Sequence, residues 1–397
     1  MEHFDVVVVG AGLAGLQATR LLARGGARVL LADRKNSVED AVHTTGIFVR
    51  RTLEDFDLPR DCLGAPVKRV RLYSPARRAH DIESEHDEFR VGRMGRLYAR
   101  MLEECLDARA AWSPATRYAG LEEAGGGEAS GVGGARGSVV RLERAGVERR
   151  VAARFVIGAD GARSRVARDL GLDENREWIV GVEDVFRGVS PDGEPCFHCF
   201  LDPRLAPGYL AWVVCDGEET HVGVGGYAAR FDPARALEEF RAEVARRFDF
   251  TRARRVERRG GRIPVGGVLK RIACARGLLV GDAAGAVSPL TAGGLDPCMR
   301  LSSLAAEVVA DYLSTGEGAA LARYSGAQFR SRFFSRLLMR RALSSIRSTA
   351  LLEAGCAVLR RAPLDALARH VFFGRGSFPD AAPARAGLAA GESRAAV

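Results

Sequence analysis

Val6-Val7-Val8-Val9-Gly10-Ala11-Gly12-Leu13-Ala14-Gly15 decides the fold of this chain. Four β-branched residues in a row predict a buried central strand of a parallel sheet. Three glycines follow at the spacing G-x-G-x-x-G. Gly10 permits the tight turn, Gly12 lets the backbone approach a pyrophosphate, and Gly15 lets the next helix pack close to the strand. That helix is expected from Leu13 to Ala23, with Leu13 and Ala14 in its first turn. Its N-terminal amides and dipole face the phosphates. Gly25-Gly26 ends it, Arg28 to Ala32 forms the second strand, and Asp33 follows, beside Arg34. Asp33 lies 18 positions after Gly15, close to the spacing of a carboxylate that holds a ribose 2′-hydroxyl. A carboxylate there repels a 2′-phosphate. Strand, glycines, helix, strand and acid in this order predict a dinucleotide ligand, FAD or NAD rather than NADP.

The rest of the composition bounds the class. A chain of 397 residues is too long for one small core, so two lobes and an extension are expected. The chain enters its first strand within five residues, so no export signal is expected ahead of it. No run of about 18 apolar residues predicts a membrane-spanning helix. Eight scattered cysteines fit a reducing cytoplasm. Cys196 and Cys199 form a C-x-x-C, but a strand would point them to opposite faces, and no second pair completes a zinc site. No metal is therefore expected. The formal charge of +9 favours anionic partners, phosphorylated substrates or anionic lipid surfaces, unless it only reflects arginine enrichment. No nucleic-acid motif accompanies it.

Further strands and helices follow in order. Val67 to Leu72 alternates like a half-exposed strand, and Arg93 to Leu106 reads as a helix with Leu97, Met101, Leu102 and Cys105 inward. Glu122 to Ser138 is glycine-rich, as a flexible hairpin tip would be. Phe155 to Gly161 is another buried strand, and Ala162 to Arg168 opens a helix. Trp178 to Ile263 turns to short strands around one helix, Pro233 to Phe248, which predicts a mainly antiparallel second lobe. Gly277 to Asp282 returns to the first lobe, and a helix is expected from Leu295 to Leu313. Between Arg323 and Arg375 stand eleven arginines against two acids. There Phe329, Phe333 and Leu337 form one stripe, and Arg332, Arg336 and Arg340 a neighbouring one. Such a segment either meets an anionic bilayer or caps the second lobe with a solvated charged face. Ala381 onward reads as a disordered tail.

GAGLAG with Asp33, GADGARSRVAR around Asp160, and LLVGDAAGAVSPLTAGG around Gly281-Asp282 and Gly293-Gly294 fit one ligand. The helix after Gly293-Gly294 offers positive potential to a reduced flavin's N1–O2 edge. The set resembles the FAD-containing fold of the p-hydroxybenzoate hydroxylase superfamily. The resemblance implies that Asp282 contacts the ribityl chain, that Asp160 lies near the pyrophosphate, and that Arg93 begins a flavin-facing helix. Within the superfamily, GGRIPVGG (260–267) followed by GLLVGDAAGAVSPLTAGGL is similar to the geranylgeranyl reductases. Hydroxylases usually carry His after GDAA and a Pro-Pro pair, where this chain has Gly285 and Pro289-Leu290. Pro207 to Trp212 with His221 to Gly225 resembles the reductases' substrate-lobe strand pair, with one extra residue between Tyr209 and Trp212. His43, before Thr44-Thr45-Gly46, is the nearest counterpart of their flavin-facing cysteine.

The expected fold is α/β: a Rossmann-like FAD-binding domain with an inserted, mainly antiparallel β-sheet substrate domain and a helical C-terminal cap. Its expected boundaries are 1–65, 93–175 and 264–315 for the FAD domain, 66–92 and 176–263 for the substrate domain, and 316–375 for the cap, with a disordered tail at 376–397. The expected activity is a flavin-dependent reduction of C=C bonds in a prenyl or other lipid-like substrate, with His43, Tyr209 and Trp212 as catalytic candidates. Electrons would come from NAD(P)H or a carrier protein, because no second nucleotide fingerprint is present. Two alternatives stay open. One is a monooxygenase acting on an aromatic or polyketide-like substrate through a flavin hydroperoxide. The other is a membrane-associated flavin-binding protein without turnover. The expected location is cytoplasmic, with peripheral contact to the inner face of the membrane as a further expectation.

Overall fold

In the computed structural model, which describes residues 1–123, 137–189, 193–361 and 364–374, the valine run is the centre of the first sheet. Glu2–Val9 lies between Val29–Ala32 and Val147–Gly158, parallel to both. Ala111–Ser113 and Gly277–Leu279 extend the sheet on either side, also parallel. Val6, Val7 and Val8 are fully buried, as a strand covered on both faces requires. Helix Leu13–Arg24 packs beside Met94–Asp107 and Leu295–Thr315. Gln17 Nε2 donates to Ser303 Oγ at 2.9 Å between two of these helices. A hairpin, Arg117–Glu123 with Ser138–Arg144, pairs antiparallel with the start of Val147–Gly158. Most of its expected glycine-rich tip, residues 124–136, lies outside the described residues.

A second sheet has seven strands, in the order Arg254–Pro264, Trp178–Arg187, Glu219–Gly226, Ala211–Cys215, Cys196–Phe200, Arg69–Tyr73 and Ala79–Glu83. Neighbours are antiparallel, except that Cys196–Phe200 runs parallel to Arg69–Tyr73. One face buries Val213, Val222 and Val224 against Leu237, Phe240 and Val244 of helix Pro233–Val244. Asp232 caps that helix through the amides of Ala234 and Arg235, with Pro233 in its first turn. The helix stops at Val244 rather than at the expected Phe248. Cys196 and Cys199 share one strand, and burial pushes both thiols up, so neither is a ready thiolate.

Val67 to Leu72 is not one strand. Val67 ends Leu63–Val67, in a three-stranded sheet with Phe89–Gly92 and Ile47–Val49, whereas Arg69–Tyr73 enters the seven-stranded sheet. Val67 and Val70 are both fully buried in the same cluster. They are an odd number of residues apart, so one continuous strand would point them to opposite faces. The chain turns at Lys68 instead.

The cap also departs from its expected pattern. Its helices are Gly318–Ala322, Gly326–Ser331, Phe334–Ser345, Thr349–Leu359 and Asp365–Phe373. Phe329 and Phe333 are buried, but a break separates them from Leu337, so they do not form one stripe on one helix. The arginine stripe does not face solvent as a unit. Arg332 is exposed, while Arg336 reaches inward to Ser288 and Arg340 is 1% exposed. The expected tail, 376–397, lies outside the described residues. Among the described residues no helix is long and apolar enough to cross a membrane.

Candidate functional site

The glycines of the first turn divide by what surrounds them. Gly10 has φ +105°, and a Cβ there would lie 2.3 Å from Ala159 O. A Cβ on Gly15 would lie 1.9 Å from Gly10 O. Both positions are fixed by the protein's own backbone. A Cβ on Gly12 meets nothing within 4 Å. Gly12 is also the N-cap of helix Leu13–Arg24 and offers no side-chain cap. Open space in front of uncapped amides is the cradle an anionic pyrophosphate needs. Asp33 braces this turn: its Oδ2 accepts from Ala11 N at 2.6 Å and its Oδ1 from Lys35 N at 2.8 Å. Arg34 beside it is exposed.

Two further carboxylates converge on the same edge of the sheet. Asp160 Oδ2 accepts from the amides of Arg165 and Val166 at 2.7 and 3.2 Å. Its Oδ1 is buried without a hydrogen-bond partner among the described residues, and burial pushes its carboxyl up against those hydrogen bonds. Asp282 follows the strand Gly277–Leu279 by three residues. Burial alone pushes its carboxyl up to about 6. An unpartnered acceptor and a desolvated carboxyl at the C-terminal ends of parallel strands fit a polyhydroxylated dinucleotide, whose hydroxyls donate to them.

The loop from Ser288 to Gly294 closes on itself. Ser288 N donates to Gly293 O at 3.0 Å, Ala292 N to Ser288 O at 2.9 Å, and Ala292 adopts φ +52°. Gly294 then caps the 21-residue helix Leu295–Thr315 without a side-chain bond. The cap holds this loop from behind: Arg336 Nη1 donates to Ser288 Oγ at 2.9 Å. Burial lowers the Arg336 pKa, and Asp296 opposes that shift.

The second sheet turns its other face toward these loops. Pairing places Gly181 beside Gly225 and Gly261, and Glu183 beside Gly223 and Arg259. Trp212 lies flat on this glycine surface: a Cβ on Gly223 would come within 2.2 Å of its ring, and one on Gly225 within 2.7 Å of the Tyr209 ring. The two rings meet edge-on, 6.5 Å apart. Tyr209 OH donates to Thr291 O at 2.7 Å, joining the substrate domain to the 288–294 loop. Burial pushes its phenol up, with Arg340 opposing. The Arg340 guanidinium lies over Tyr209 and Tyr227, 5.5 and 5.1 Å from their ring centres.

His43 is exposed, and its Nδ1 donates to Gly260 O at 3.0 Å, so this nitrogen carries a proton. Arg93 directly precedes helix Met94–Asp107, but its guanidinium crosses to the substrate domain. It lies 2.8 Å from Glu218 and 3.9 Å from Asp216. The structure thus gathers Gly10, Gly12, Asp33, Asp160, Asp282 and Gly293-Gly294 around one edge, with Tyr209 and Trp212 opposite. Glu183, Thr45, Arg259 and Arg336 are additions the sequence reading missed. Glu183 left a signal, an acid next to Asp184 within the otherwise apolar run of strand Trp178–Arg187. So did the alternating glycines of His221 to Gly225.

The Asp282 carboxyl gives a pH prediction. Its ligand-free value of about 6 lies above the ordinary 3.8, so the ligand-free protein loses stability as pH rises through 6. A ligand donating to the carboxylate lowers that value. FAD affinity is therefore expected to rise between about pH 5 and pH 7 and then level off, by about tenfold per unit of pKa shift. Fluorescence titration of the apoprotein reads this, and Asp282→Asn should flatten it. An unchanged slope in that variant would remove Asp282 from the site.

A family model described as an FAD binding domain matches residues 3–340. The digeranylgeranylglycerophospholipid reductase of Methanothrix thermoacetophila is 32% identical over 324 residues, covering 79% of each chain. Digeranylgeranylglycerophospholipid reductase 1 of Methanopyrus kandleri is 32% identical over 342 residues, 81% of this chain and 85% of that one. Among solved structures, a geranylgeranyl bacteriochlorophyll reductase-like protein of Thermoplasma acidophilum superposes with TM-score 0.80 at 20% identity, covering 94% of this chain and 98% of that one. The p-nitrophenol 4-monooxygenase of Pseudomonas putida does so with TM-score 0.70 at 17% identity, covering 94% and 99%. At these identities both structures speak for the fold, which is that of the FAD-binding reductases and monooxygenases. The cofactor is FAD, and the chain belongs to the geranylgeranyl reductase-like family of FAD-dependent oxidoreductases.

Proposed function

We propose that this enzyme saturates C=C bonds in an isoprenoid lipid. The observation that carries the reading is the match, over about four-fifths of both chains, to reductases of geranylgeranyl phospholipids. The site supports it. Trp212 and Tyr209 lie flat on Gly223 and Gly225 and offer an aromatic surface to a hydrocarbon chain. Bound FAD, once reduced, supplies a hydride to an unsaturated carbon. This chain's own residues do the rest. Asp282, Asp160 and the Gly12 turn bind the cofactor. Tyr209 holds the 288–294 loop. His43 fixes its own loop against Gly260. His43→Ala is expected to slow turnover about tenfold while FAD stays bound, checked by stopped-flow and absorbance together. Reducing equivalents come from outside the site, through NAD(P)H or a carrier protein. Consumption of an unsaturated lipid by the reduced protein under nitrogen tests the reading.

The cap also supports contact with an anionic bilayer, by a different surface from the arginine stripe of the sequence. Among the described residues, six of the ten exposed large hydrophobic side chains lie between Phe334 and Leu367: Phe334, Leu338, Leu351, Val358, Leu364 and Leu367. Exposed Arg341, Arg347 and Arg361 stand among them. Each basic residue near an anionic surface contributes roughly 1 kcal/mol, and the apolar side chains add burial in the lipid. The protein is expected to sediment with anionic liposomes at low salt, and Phe334→Asp with Leu338→Asp to release it. Sedimentation unaffected by the double variant would move the contact elsewhere.

A further inference from the structure

Glu183 and His221 form a buried titratable pair to which cofactor binding gives no role. Glu183 is 3% exposed and His221 2%. Glu183 Oε2 accepts from Thr45 Oγ1 at 2.6 Å and from Trp212 Nε1 at 3.2 Å. Its Oε1 makes no hydrogen bond and lies 3.5 Å from His221 Nδ1 and 3.6 Å from Arg259 Nη1. Among the described residues neither ring nitrogen of His221 has a hydrogen-bond partner. Burial pushes the Glu183 carboxyl up, but His221, Thr45 and Arg259 together outweigh it and hold it low. Beyond His221 stand Asp216 and Glu219, and one ligand atom from each of the three lies within 4.8 Å of the others. Asp216 is buried with Arg93 nearby. Glu219 is half-buried, with Arg187 on its carboxylate.

These groups form a file from the half-buried edge of the substrate domain to Thr45. Thr45 sits on the loop that carries His43, and its partner oxygen is shared with Trp212. A buried titratable pair is costly to desolvate, and among the described residues its ring nitrogens and Oε1 have no hydrogen-bond partner. A proton that moves through them would use those free positions.

Saturating one C=C bond adds a hydride to one carbon and a proton to the other as the π bond breaks. The reductase reading leaves the proton's source open. We propose that Glu219, His221 and Glu183 form a buried proton path that ends on Thr45 and supplies this proton, an inference that rests on the reductase reading above. Thr45 Oγ–H is delivered to the substrate carbon. Glu183, a carboxylate at rest, first takes a proton from His221, whose other ring nitrogen is refilled from solvent through Glu219, and then returns that proton to Thr45 Oγ. The electron pair arrives as the hydride of reduced FAD, which the external donor replaces. Each protein group ends the cycle as it began. Glu183 and His221 act through Thr45 and are positioning residues in this scheme.

The test mixes dithionite-reduced holoenzyme anaerobically with a digeranylgeranylglycerophospholipid in micelles, in H2O and in D2O. Flavin reoxidation in the wild type should slow in D2O. Glu183→Gln should keep its FAD, reoxidise about tenfold more slowly or worse, and Glu183→Asp should recover part of the rate. Wild-type reoxidation in Glu183→Gln would overturn the path. If Glu183→Gln does not fold, Glu219→Gln at the half-buried end takes its place, with the same expectation. A second readout needs no substrate: nitrogen-labelled histidine NMR of the holoenzyme follows exchange of the His221 ring proton with solvent. Glu219→Gln should slow that exchange, and unchanged exchange would overturn the path. Wild-type enzyme that leaves the lipid unreduced, with exchange still slowed in Glu219→Gln, would instead overturn the reductase reading and keep the path.

Discussion

Gly12→Val is expected to fold and to lose FAD. A Cβ at Gly12 meets no protein atom within 4 Å, and its φ of −80° with ψ of −176° is extended backbone that valine adopts freely. The melting temperature of the apoprotein should therefore stay within about 2 °C of wild type. The added side chain occupies the space in front of the first helix, where the pyrophosphate must meet the backbone. Affinity for FAD should fall about 100-fold or more, which is about 2.7 kcal/mol. Gly15→Val is the contrasting case. Its Cβ would sit 1.9 Å from Gly10 O, so the strand and helix must separate and the chain should fail to fold. Calorimetry with flavin absorbance reads both. A Gly12→Val protein that copurifies with a full complement of FAD would show that the dinucleotide does not lie there.

Gly223→Val is expected to leave FAD bound and to abolish work on a lipid. Gly223 pairs with Trp212 across the sheet, and the Trp212 ring covers it so closely that a Cβ would lie 2.2 Å from Cζ2. Valine must lift the ring off the sheet. That movement also breaks the Trp212 Nε1 bond to Glu183 Oε2. The substrate then loses both the aromatic surface and the position of Thr45. A loss of about 100-fold in kcat/KM, about 2.7 kcal/mol of transition-state stabilisation, is expected. Gly225→Ala tests the same surface under Tyr209, where the clash is 2.7 Å and the ring is held at its far end by Thr291. Turnover unaffected in Gly223→Val would remove the glycine surface from the substrate path.

What could be read from the sequence follows from how local each signal is. The Gly10 to Gly15 turn, its flanking strands and Asp33 are close in sequence, and their spacing carries their roles. The helices Leu13–Arg24 and Met94–Asp107 start within a residue of where their apolar patterns predict. Lys68 was illegible because the strand break there serves two sheets, and pairing partners far along the chain decide it. The cap arginines mislead for a similar reason. Their spacing shows that they share a helix face, not what that face meets. Arg336 and Arg340 meet Ser288, Tyr209 and Tyr227, which come from other parts of the chain. Glu183 and His221 lie 38 residues apart and meet only because antiparallel strands bring them side by side. Arg93 shows the limit of a matched motif. Its helix is where the resemblance implies, yet two acids of the turn after Cys215 draw its guanidinium toward the substrate domain.

The most direct measurement of the central claim is a single turnover without oxygen. Chemically reduced holoenzyme is mixed under nitrogen with a digeranylgeranylglycerophospholipid, and product mass and flavin absorbance are followed together. The product is expected to be heavier by two hydrogens per saturated bond, with one bond saturated for each FAD reoxidised. No product under nitrogen, together with product carrying oxygen from labelled dioxygen in air, would contradict it and make this chain a monooxygenase.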